Sequence, residues 1–302
     1  MYLETFKLPI DKEERLLAKR AEKNGGPLGY VDNIYPCGLF REKELSEIRF
    51  QKITIFYGGN GSGKSTLLNL IAEKLQLNRI APYNSGEMFA SYVESCKYSP
   101  GNDDEGFPYR IPNGSRIITS DDIFDYMLAV RANNDEIREK KADAKARHYD
   151  LKFGDTVKFK SMDDYEELRL QLLSRSKTVS RRQFIRKTAG EEVRLNSNGE
   201  TALRYFEGKI KNDTLYCLDE PENSMSPKMQ LELSKMLAEA ARFCGCQFII
   251  ATHSPFLLSL PGAMIYDLDA KPARIRDWWE LENCKIYFEF FEKHRKLFEP
   301  SV

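Results

Sequence analysis

The stretch Gly58-Gly59-Asn60-Gly61-Ser62-Gly63-Lys64-Ser65 decides the fold that we predict for this 302-residue chain. It fits the pattern G-x-x-x-x-G-K-[ST], whose glycines let backbone N–H groups wrap around phosphate oxygens. An apolar run ends just before it at residue 57, and residues 64–75 repeat apolar side chains at helical spacing. The segment therefore predicts a strand, a phosphate-binding loop and a helix whose N-terminus faces the phosphates.

Two side chains of this loop carry chemistry of their own. Lys64 is expected to neutralise the β- and γ-phosphates of a nucleotide, and the Ser65 hydroxyl to ligate Mg²⁺. The alternative, a chance glycine loop before a helix, fits the strand–loop–helix context less well. The residues predicted to contact the nucleotide here are Gly59, Asn60, Gly61, Ser62, Gly63, Lys64, Ser65 and Thr66.

Two further strands are predicted much later in the chain. Residues 214–218 and 247–251 are short apolar runs, and a helical pattern at residues 229–243 separates them. Strands that alternate with helices indicate a parallel sheet with helices on its faces. The predicted fold class is therefore α/β, with a mostly parallel sheet and flanking helices.

The strand at residues 214–218 delivers two adjacent carboxylates, Asp219 and Glu220, at its C-terminal end. Ligands of open α/β sheets gather at that edge. Asp219 would hold Mg²⁺, and Glu220 would orient and deprotonate an attacking water. In isolation such a pair is often only a helix cap. A phosphate-binding loop upstream favours catalysis.

His253 follows the other late strand, so we expect it near the same edge and within reach of a γ-phosphate. A single histidine at a strand end is more often structural. Its expected position in a sheet beside the Asp219 strand favours the phosphate contact.

The segment Leu195-Asn196-Ser197-Asn198-Gly199-Glu200 precedes a helical pattern and forms a second candidate anion site. One chain cannot easily place two such sites on one phosphate, so this loop would serve the nucleotide of a second copy. Without that context a turn with a helix cap is the simpler interpretation.

The order of these motifs resembles the ABC-type ATPases, and residues 219–227 and 251–258 resemble stand-alone ATPases of the RecF and chromosome-maintenance branch. The resemblance covers residues 47–75 and 190–268. It implies an ABC-like fold with ATP and Mg²⁺ as cofactors, and a head-to-tail, ATP-dependent homodimer. It also implies that Ser197, Gly199 and Glu200 serve the partner's nucleotide, that Glu220 is the base and that His253 senses the γ-phosphate.

The chain departs from the family pattern in two places. The signature usually begins Leu-Ser-Gly-Gly and ends in Gln, whereas this chain has Ser197-Asn198-Gly199-Glu200, and the glutamine loop is missing. Asp121 or Asp122 could replace that glutamine at the metal, and Asp121 joins Ser65 and Asp219 as a predicted metal ligand. The aromatic residue that stacks on adenine could be Tyr35 or Phe40.

We expect one ATPase domain made of four segments. They are a β-rich lobe at residues 1–57, the phosphate-loop core at 58–120, a helical insertion at 121–195 and a second core part with a C-terminal helix at 196–302.

Composition limits the functions that are compatible with the chain. Lys plus Arg equals Asp plus Glu, at 46 each, so no global field attracts nucleic acid or an acidic membrane. The basic stretch at residues 174–187 could still bind nucleic acid, although a solvated helix face is the simpler interpretation.

The six cysteines lack metal-site spacing and indicate reduced thiols. With no signal sequence and no membrane-spanning run, we expect a cytoplasmic protein without membrane contacts.

The leading functional hypothesis is an ATPase that closes into a dimer around ATP and drives or switches a separate effector protein. DNA metabolism and anti-phage defence are candidate settings. The alternatives are the nucleotide-binding subunit of a membrane transporter, which predicts a Gln-ending signature and a glutamine loop, and a nucleotide-dependent regulatory module that does not hydrolyse ATP.

Overall fold

A computed structural model describes residues 1–24, 34–83, 85–159, 161–192 and 197–298. The chain forms two compact units, Met1–Ile123 with Asn198–Val302 and Phe124–Ser197. The helices and strands in chain order are β1 (Thr5–Lys7), α1 (Asp11–Asn24), β2 (Glu47–Arg49), β3 (Ile53–Tyr57), α2 (Lys64–Lys74), α3 (Glu87–Ser95), β4 (Lys97–Ser99), β5 (Arg116–Thr119), α4 (Ser120–Phe153), α5 (Tyr165–Arg175), α6 (Arg181–Ala189), α7 (Asn198–Lys209), β6 (Leu215–Asp219), α8 (Pro227–Phe243), β7 (Gln247–Ala251), α9 (Pro255–Leu258), β8 (Met264–Asp267), β9 (Arg274–Arg276) and α10 (Glu282–Lys293).

The first unit is built on a six-stranded sheet in the order β5-β6-β7-β3-β8-β9. Neighbouring strands pair in parallel from β5 through β6, β7 and β3 to β8. The edge strand β9 runs antiparallel to β8. Every residue of β3 and β7 is buried, which explains why both strands are apolar along their whole length. Helices α2 and α8 pack against β7. The predicted α/β class with a mostly parallel sheet is therefore confirmed.

The register of the sheet brings three strand ends to one level. Phe56 of β3 and Asp219 of β6 are both paired with Ala251 of β7. The loops that follow these three strands therefore leave the sheet side by side. They carry the phosphate loop, the two carboxylates and His253.

A second, three-stranded antiparallel sheet has the order β2-β1-β4. The buried side chain of Gln247 links it to β7, since Leu3 N–H donates to Gln247 Oε1 at 2.9 Å and Gln247 Nε2 donates to the Leu3 carbonyl at 2.7 Å. The N-terminal segment also contains helix α1, which the sequence analysis did not predict within its β-rich lobe. Helix α1 is dominated by charged residues and contains few apolar ones, so its sequence gives little apolar signal.

Helices α7 and α8 approach each other closely at Gly199. A Cβ atom on this residue would lie 2.5 Å from Met229 Sδ and 3.2 Å from the Ser224 carbonyl oxygen. Since the second contact is with backbone, a side chain here would displace α7 or the loop after β6. By contrast, a Cβ on Gly208, near the end of the same helix, would meet nothing within 4 Å.

We expect Gly199→Ala to destabilise the protein by about 1–3 kcal/mol, the usual cost of overpacking a tight contact. The matched control Gly208→Ala should stabilise it by roughly 0.5–1 kcal/mol, because alanine is the better helix former in open space. Urea unfolding followed by circular dichroism measures both effects. A Gly199→Ala protein at least as stable as wild type would contradict the packing described here.

The second unit is helical in its described part and has a small core of its own. Ala144, Leu151 and Phe184 are buried together, and the His148 ring meets the Phe184 ring edge-on at 5.1 Å. Arg175, from the basic stretch, donates to the Leu151 carbonyl at 3.3 Å. The Arg175 side chain of the basic stretch therefore makes a hydrogen bond within the second unit.

The C-terminal segment forms helix α10, as predicted, but most of its aromatic side chains do not pack on the core. Leu281 and Cys284 are buried, whereas Phe288 is 69% exposed and Trp279 is 57% exposed. The aromatic character of this segment therefore does not place most of its side chains in the core. Across the residues that the structure describes, we find no helix with the length and apolar character needed to span a membrane.

Candidate nucleotide-binding site

The phosphate loop lies between β3 and α2 and is shaped by its glycines. Gly61 and Gly63 adopt positive φ angles of 78° and 95°, which favour glycine. A Cβ on Gly63 would lie 3.1 Å from both Leu39 and Phe40. No described side chain caps the N-terminus of α2, so its first N–H groups can bind an anion.

Lys64 lies under this loop and is buried. Its Nζ donates to the carbonyls of Gly58 at 2.8 Å and Gly59 at 3.1 Å, and lies 2.8 Å from Nε2 of His253. Burial lowers the pKa of Lys64 and opposes the raising effect of the nearby carboxylates, of which Glu220 contributes most. The ammonium group is thus held against the backbone of the loop by two of its carbonyls.

Asp219 and Ser65 form the oxygen-rich side of the site. Ser65 Oγ donates to Asp219 Oδ1 at 3.0 Å. Burial raises the pKa of Asp219 to about 6, although the Ser65 hydrogen bond acts in the opposite direction. A hydroxyl and a carboxylate are the hard oxygen ligands that Mg²⁺ prefers, and a cation would favour the charged form of this buried acid. The pair therefore fits the predicted metal position.

We expect Asp219→Asn to stabilise the metal-free protein by about 1–3 kcal/mol at pH 8 and by much less at pH 4. Because the folded-state pKa of Asp219 is raised above 3.8, ionisation of this carboxyl destabilises the fold increasingly between about pH 4 and 6 and fully above that range. Asparagine keeps the acceptor for Ser65 and removes the charge. Urea unfolding in EDTA at both pH values measures the difference, with the exposed Asp121→Asn as control. An equal effect of Asp219→Asn at pH 4 and pH 8 would refute the assignment.

Glu220 lies at the end of β6 in a backbone conformation that is rare for a non-glycine residue, with φ at 47°. Its N–H donates to the Ala251 carbonyl at 2.9 Å, and Asn223 Nδ2 donates to Glu220 Oε2 at 3.1 Å. The other carboxylate oxygen, Oε1, lies 3.6 Å from His253 Nε2. The turn thus directs the Glu220 carboxylate towards Lys64 and His253, and such strained positions are common at functional sites.

His253 closes this group of side chains. Burial lowers the pKa of its imidazole, and the positive charge of Lys64 lowers it further. A neutral ring can accept a hydrogen bond from the Lys64 ammonium at Nε2, which places the ring proton on the other nitrogen. Asn283 Nδ2 donates to the His253 carbonyl at 2.8 Å. The structure thus brings Lys64, Ser65, Asp219, Glu220 and His253 together.

The remaining predicted residues lie elsewhere. Ser197, Gly199 and Glu200 lie at or just before the start of α7, where Gly199 packs on α8 and the other two side chains are exposed. Asn196, next to them, lies outside the described residues.

The two aspartates proposed to replace the glutamine loop differ in their surroundings. Asp121 is exposed. Asp122 is buried and accepts hydrogen bonds from the backbone N–H groups of Ala81 at 2.9 Å and Thr119 at 2.7 Å. β5 pairs with β6 so that Thr119 lies beside Asp219. Asp121 therefore follows β5 at the sheet edge that carries the candidate site, whereas Asp122 caps the start of its own helix.

The two aromatic candidates for the adenine contact also differ. The Tyr35 hydroxyl donates to Thr66 Oγ1 at 2.7 Å, and its ring stacks on Phe89 with centroids 5.9 Å apart. Phe40 is buried beside Gly63. Tyr35 is thus the candidate that contacts a predicted nucleotide-binding residue through a polar atom.

Two carboxylates of the site were missed by the sequence analysis. Asp269 Oδ2 accepts the N–H of Gly59 at 2.6 Å, and Glu222 accepts hydrogen bonds from the loop that carries His253. Asp269 follows β8, which ends at the same sheet edge, so recognition of that strand would have drawn attention to it. Glu222 lies within residues 219–227, which carry the family resemblance, but no local pattern indicates its contacts with the His253 loop.

A comparison with protein families gives a match over part of the chain. Residues 201–259 match the family described as "AAA domain, putative AbiEii toxin, Type IV TA system". This segment includes β6, β7 and the side chains of Asp219, Glu220 and His253. A search of curated proteins finds no significant match.

Three solved structures illustrate the likeness. The SMC head domain from Thermotoga maritima is 14% identical with a TM-score of 0.39, over 92% of this chain and 99% of that chain. An ATP-binding cassette solved as a dimer in a post-hydrolysis state with ADP and Pi is 14% identical with a TM-score of 0.34, over 77% and 88%. A Streptococcus thermophilus protein is 13% identical with a TM-score of 0.39, over 84% and 77%.

The phosphate loop, the carboxylate strand beside it and the family match agree with one another. In its fold and its nucleotide-site motifs, this chain is similar to P-loop ATPase domains of the AAA and ABC type, and the family match covers residues 201–259.

Proposed function

We propose that this protein binds Mg-ATP and hydrolyses it, with Glu220 as the base. The observation that carries this proposal is the convergence of three groups, since Lys64 Nζ lies 2.8 Å from His253 Nε2, which lies 3.6 Å from Glu220 Oε1. The ammonium would neutralise charge on the β- and γ-phosphates, the imidazole would contact the γ-phosphate, and the carboxylate would orient and deprotonate the attacking water.

Hydrolysis explains the site better than binding alone. A nucleotide-binding module does not need a carboxylate held in a strained conformation beside the γ-phosphate position. Here Asn223 fixes one oxygen of Glu220 and leaves the other directed at His253. This arrangement favours the ATPase over the regulatory module that does not hydrolyse ATP.

Mg²⁺ would be held by Ser65 and Asp219, and Asp121 is the candidate for a further contact. Bound there, the ion would neutralise charge on the phosphate oxygens. The chain supplies a hydroxyl and a buried carboxyl that are already joined by a hydrogen bond. Loss of a proton from Asp219 would accompany metal binding near its raised pKa of about 6.

The closed state that we propose is a head-to-tail homodimer. Ser197 and Glu200 are exposed at the start of α7, where the helix dipole favours an anion. In the dimer they and Gly199 would face the nucleotide on the partner's phosphate loop. One ATPase domain made of residues 1–120 and 196–302, with residues 121–195 inserted, would form each half.

Closure of the dimer would drive or switch a separate effector in the cytoplasm, in DNA metabolism or anti-phage defence. A transporter subunit is less consistent with the sequence, which lacks the glutamine loop and the Gln-ending signature that couple such subunits to membrane helices. The match of residues 201–259 to a family described as an AAA domain and putative toxin of a type IV TA system supports the defence setting that we propose.

Mixing two inactive variants tests the composite site. Lys64→Ala disables the phosphate loop and Ser197→Arg blocks the signature, so each alone should release little phosphate from ATP. In an equimolar mixture, half of the dimers are mixed and each keeps one intact site of two, so about a quarter of the wild-type rate should return. If the mixture is no more active than the separate variants, the proposed trans arrangement is wrong.

A further inference from the structure

Glu222 joins the two loops that carry the proposed catalytic groups. Its Oε1 accepts hydrogen bonds from Thr252 Oγ1, from the His253 N–H at 3.0 Å and from the Ser254 N–H at 3.2 Å. These three donors belong to consecutive residues directly after β7. A single carboxylate oxygen therefore holds the whole turn on which the His253 side chain is mounted.

The same residue is part of the turn that shapes Glu220. The Asn223 N–H donates to the Glu220 carbonyl at 3.1 Å, and the Met225 N–H donates to the Glu222 carbonyl at 3.0 Å. The backbone after β6 thus forms hydrogen-bonded turns over residues 220–225, and Glu222 lies within them. Movement of the His253 turn relative to Glu220 would break the hydrogen bonds to this carboxylate.

The second oxygen of the carboxylate is unusual. Oε2 of Glu222 is buried and has no hydrogen-bond partner among the described residues. Burial raises the pKa of this carboxyl, while the donors on Oε1 act in the opposite direction. Burying half of a carboxylate without a partner carries a cost.

Two further side-chain anchors of the His253 turn come from outside this loop. Asn283 Nδ2 donates to the His253 carbonyl at 2.8 Å, and Ser254 Oγ donates to Gln230 Oε1 at 2.7 Å. Asn283 belongs to α10 and Gln230 to α8. Of these anchors, Glu222 alone lies on the turn of Glu220, so it sets the separation between imidazole and base.

We propose that Glu222 is a positioning residue that fixes the Thr252–His253–Ser254 turn so that the His253 ring faces Lys64 and Glu220. The proposal rests on the ATPase function proposed above and assigns to that site a residue beyond the groups that touch the nucleotide. Glu222 itself touches neither ATP nor water in this scheme. It acts through His253.

Glu222→Met tests this, because methionine keeps the volume and removes the acceptor, and Glu222→Gln is the matched control that keeps an acceptor oxygen and removes the same charge. The titration of His253 is followed by NMR in the nucleotide-free protein, where His148 and His294 are the other two histidines. In wild type its midpoint should lie below 6.5, because burial and Lys64 lower the pKa of this imidazole.

Glu222→Met should move the midpoint up towards 6.5 as the ring leaves Lys64, and Glu222→Gln should leave it at or below the wild-type value. Loss of the carboxylate charge by itself would shift the midpoint downward, so an upward shift reports movement of the ring. In turnover, Glu222→Met should lower kcat between about tenfold and a hundredfold with ATP affinity within roughly threefold of wild type.

A folded Glu222→Met protein with the wild-type His253 midpoint would overturn the proposal, as would an equal shift in Glu222→Gln. If Glu222→Met does not fold, Thr252→Val removes one of the three donors, and an unchanged midpoint in that variant would overturn the proposal as well. Wild-type protein that releases no phosphate would instead refute the ATPase function. The histidine titration, which needs no turnover, would still decide the role of Glu222.

Discussion

We expect Glu220→Gln to lower steady-state phosphate release from Mg-ATP by about a hundredfold to ten-thousandfold, the usual contribution of a general base. Glutamine keeps the size of the side chain and can still accept from Asn223, whose Nδ2 lies 3.1 Å from Glu220 Oε2. It cannot take a proton from water. ATP affinity should stay within a few-fold of wild type, because the base is not needed for binding.

The measurement is phosphate release at saturating ATP together with a direct titration of ATP binding. Glu232→Gln, an exposed glutamate on α8, is the matched control and should behave as wild type. If Glu220→Gln retained more than about a tenth of the wild-type rate, a smaller loss than a general base normally causes, another group would have to activate the water.

Lys64→Ala should weaken ATP binding by about tenfold to a hundredfold, since hydrogen bonds to charged groups contribute about 1.5–3 kcal/mol. Lys64 is buried with its ammonium held by the Gly58 and Gly59 carbonyls, so its position is already fixed before phosphate arrives. Turnover should disappear with binding.

Calorimetric titration with ATP in Mg²⁺ measures the effect of Lys64→Ala. Lys74→Ala is the control, because this lysine lies at the other end of α2 and donates to the Glu94 carbonyl at 2.9 Å. Circular dichroism establishes that both variants fold. Unchanged ATP affinity in folded Lys64→Ala would mean that the nucleotide binds elsewhere.

The parts of the fold that the sequence predicts well are those with a strong local signal. β3 and β7 are buried at every residue, so unbroken apolar runs reveal them without knowledge of the rest. Helix α2 follows a glycine loop with a specific pattern. Helix α1 is different, because its sequence is mostly charged and contains few apolar residues to indicate a buried helix face.

The residues of the candidate site also differ in how strongly the local sequence indicates them. Lys64, Asp219, Glu220 and His253 each follow a recognisable strand, and the register of the sheet brings them together. Asp269 contacts Gly59 across a separation of 210 residues, and no local pattern indicates such a pairing. Asp121 and Asp122 are adjacent and chemically identical, so only their burial distinguishes the capping residue from the exposed one.

The aromatic C-terminal segment shows a further limit. Its composition suggests burial in the core, but Phe288 and Trp279 are mostly exposed. Hydrophobic character predicts that a side chain prefers to be covered. It does not tell whether the side chain is buried by another part of the same chain or by a different molecule.

Sedimentation velocity of Glu220→Gln with and without Mg-ATP tests most directly whether ATP closes two copies of this chain around a composite site. Because this variant should bind ATP without hydrolysing it, we predict a monomer without nucleotide and a stable dimer with it, while wild type forms the dimer only transiently. A Glu220→Gln protein that binds Mg-ATP and remains a monomer would contradict the proposed closure.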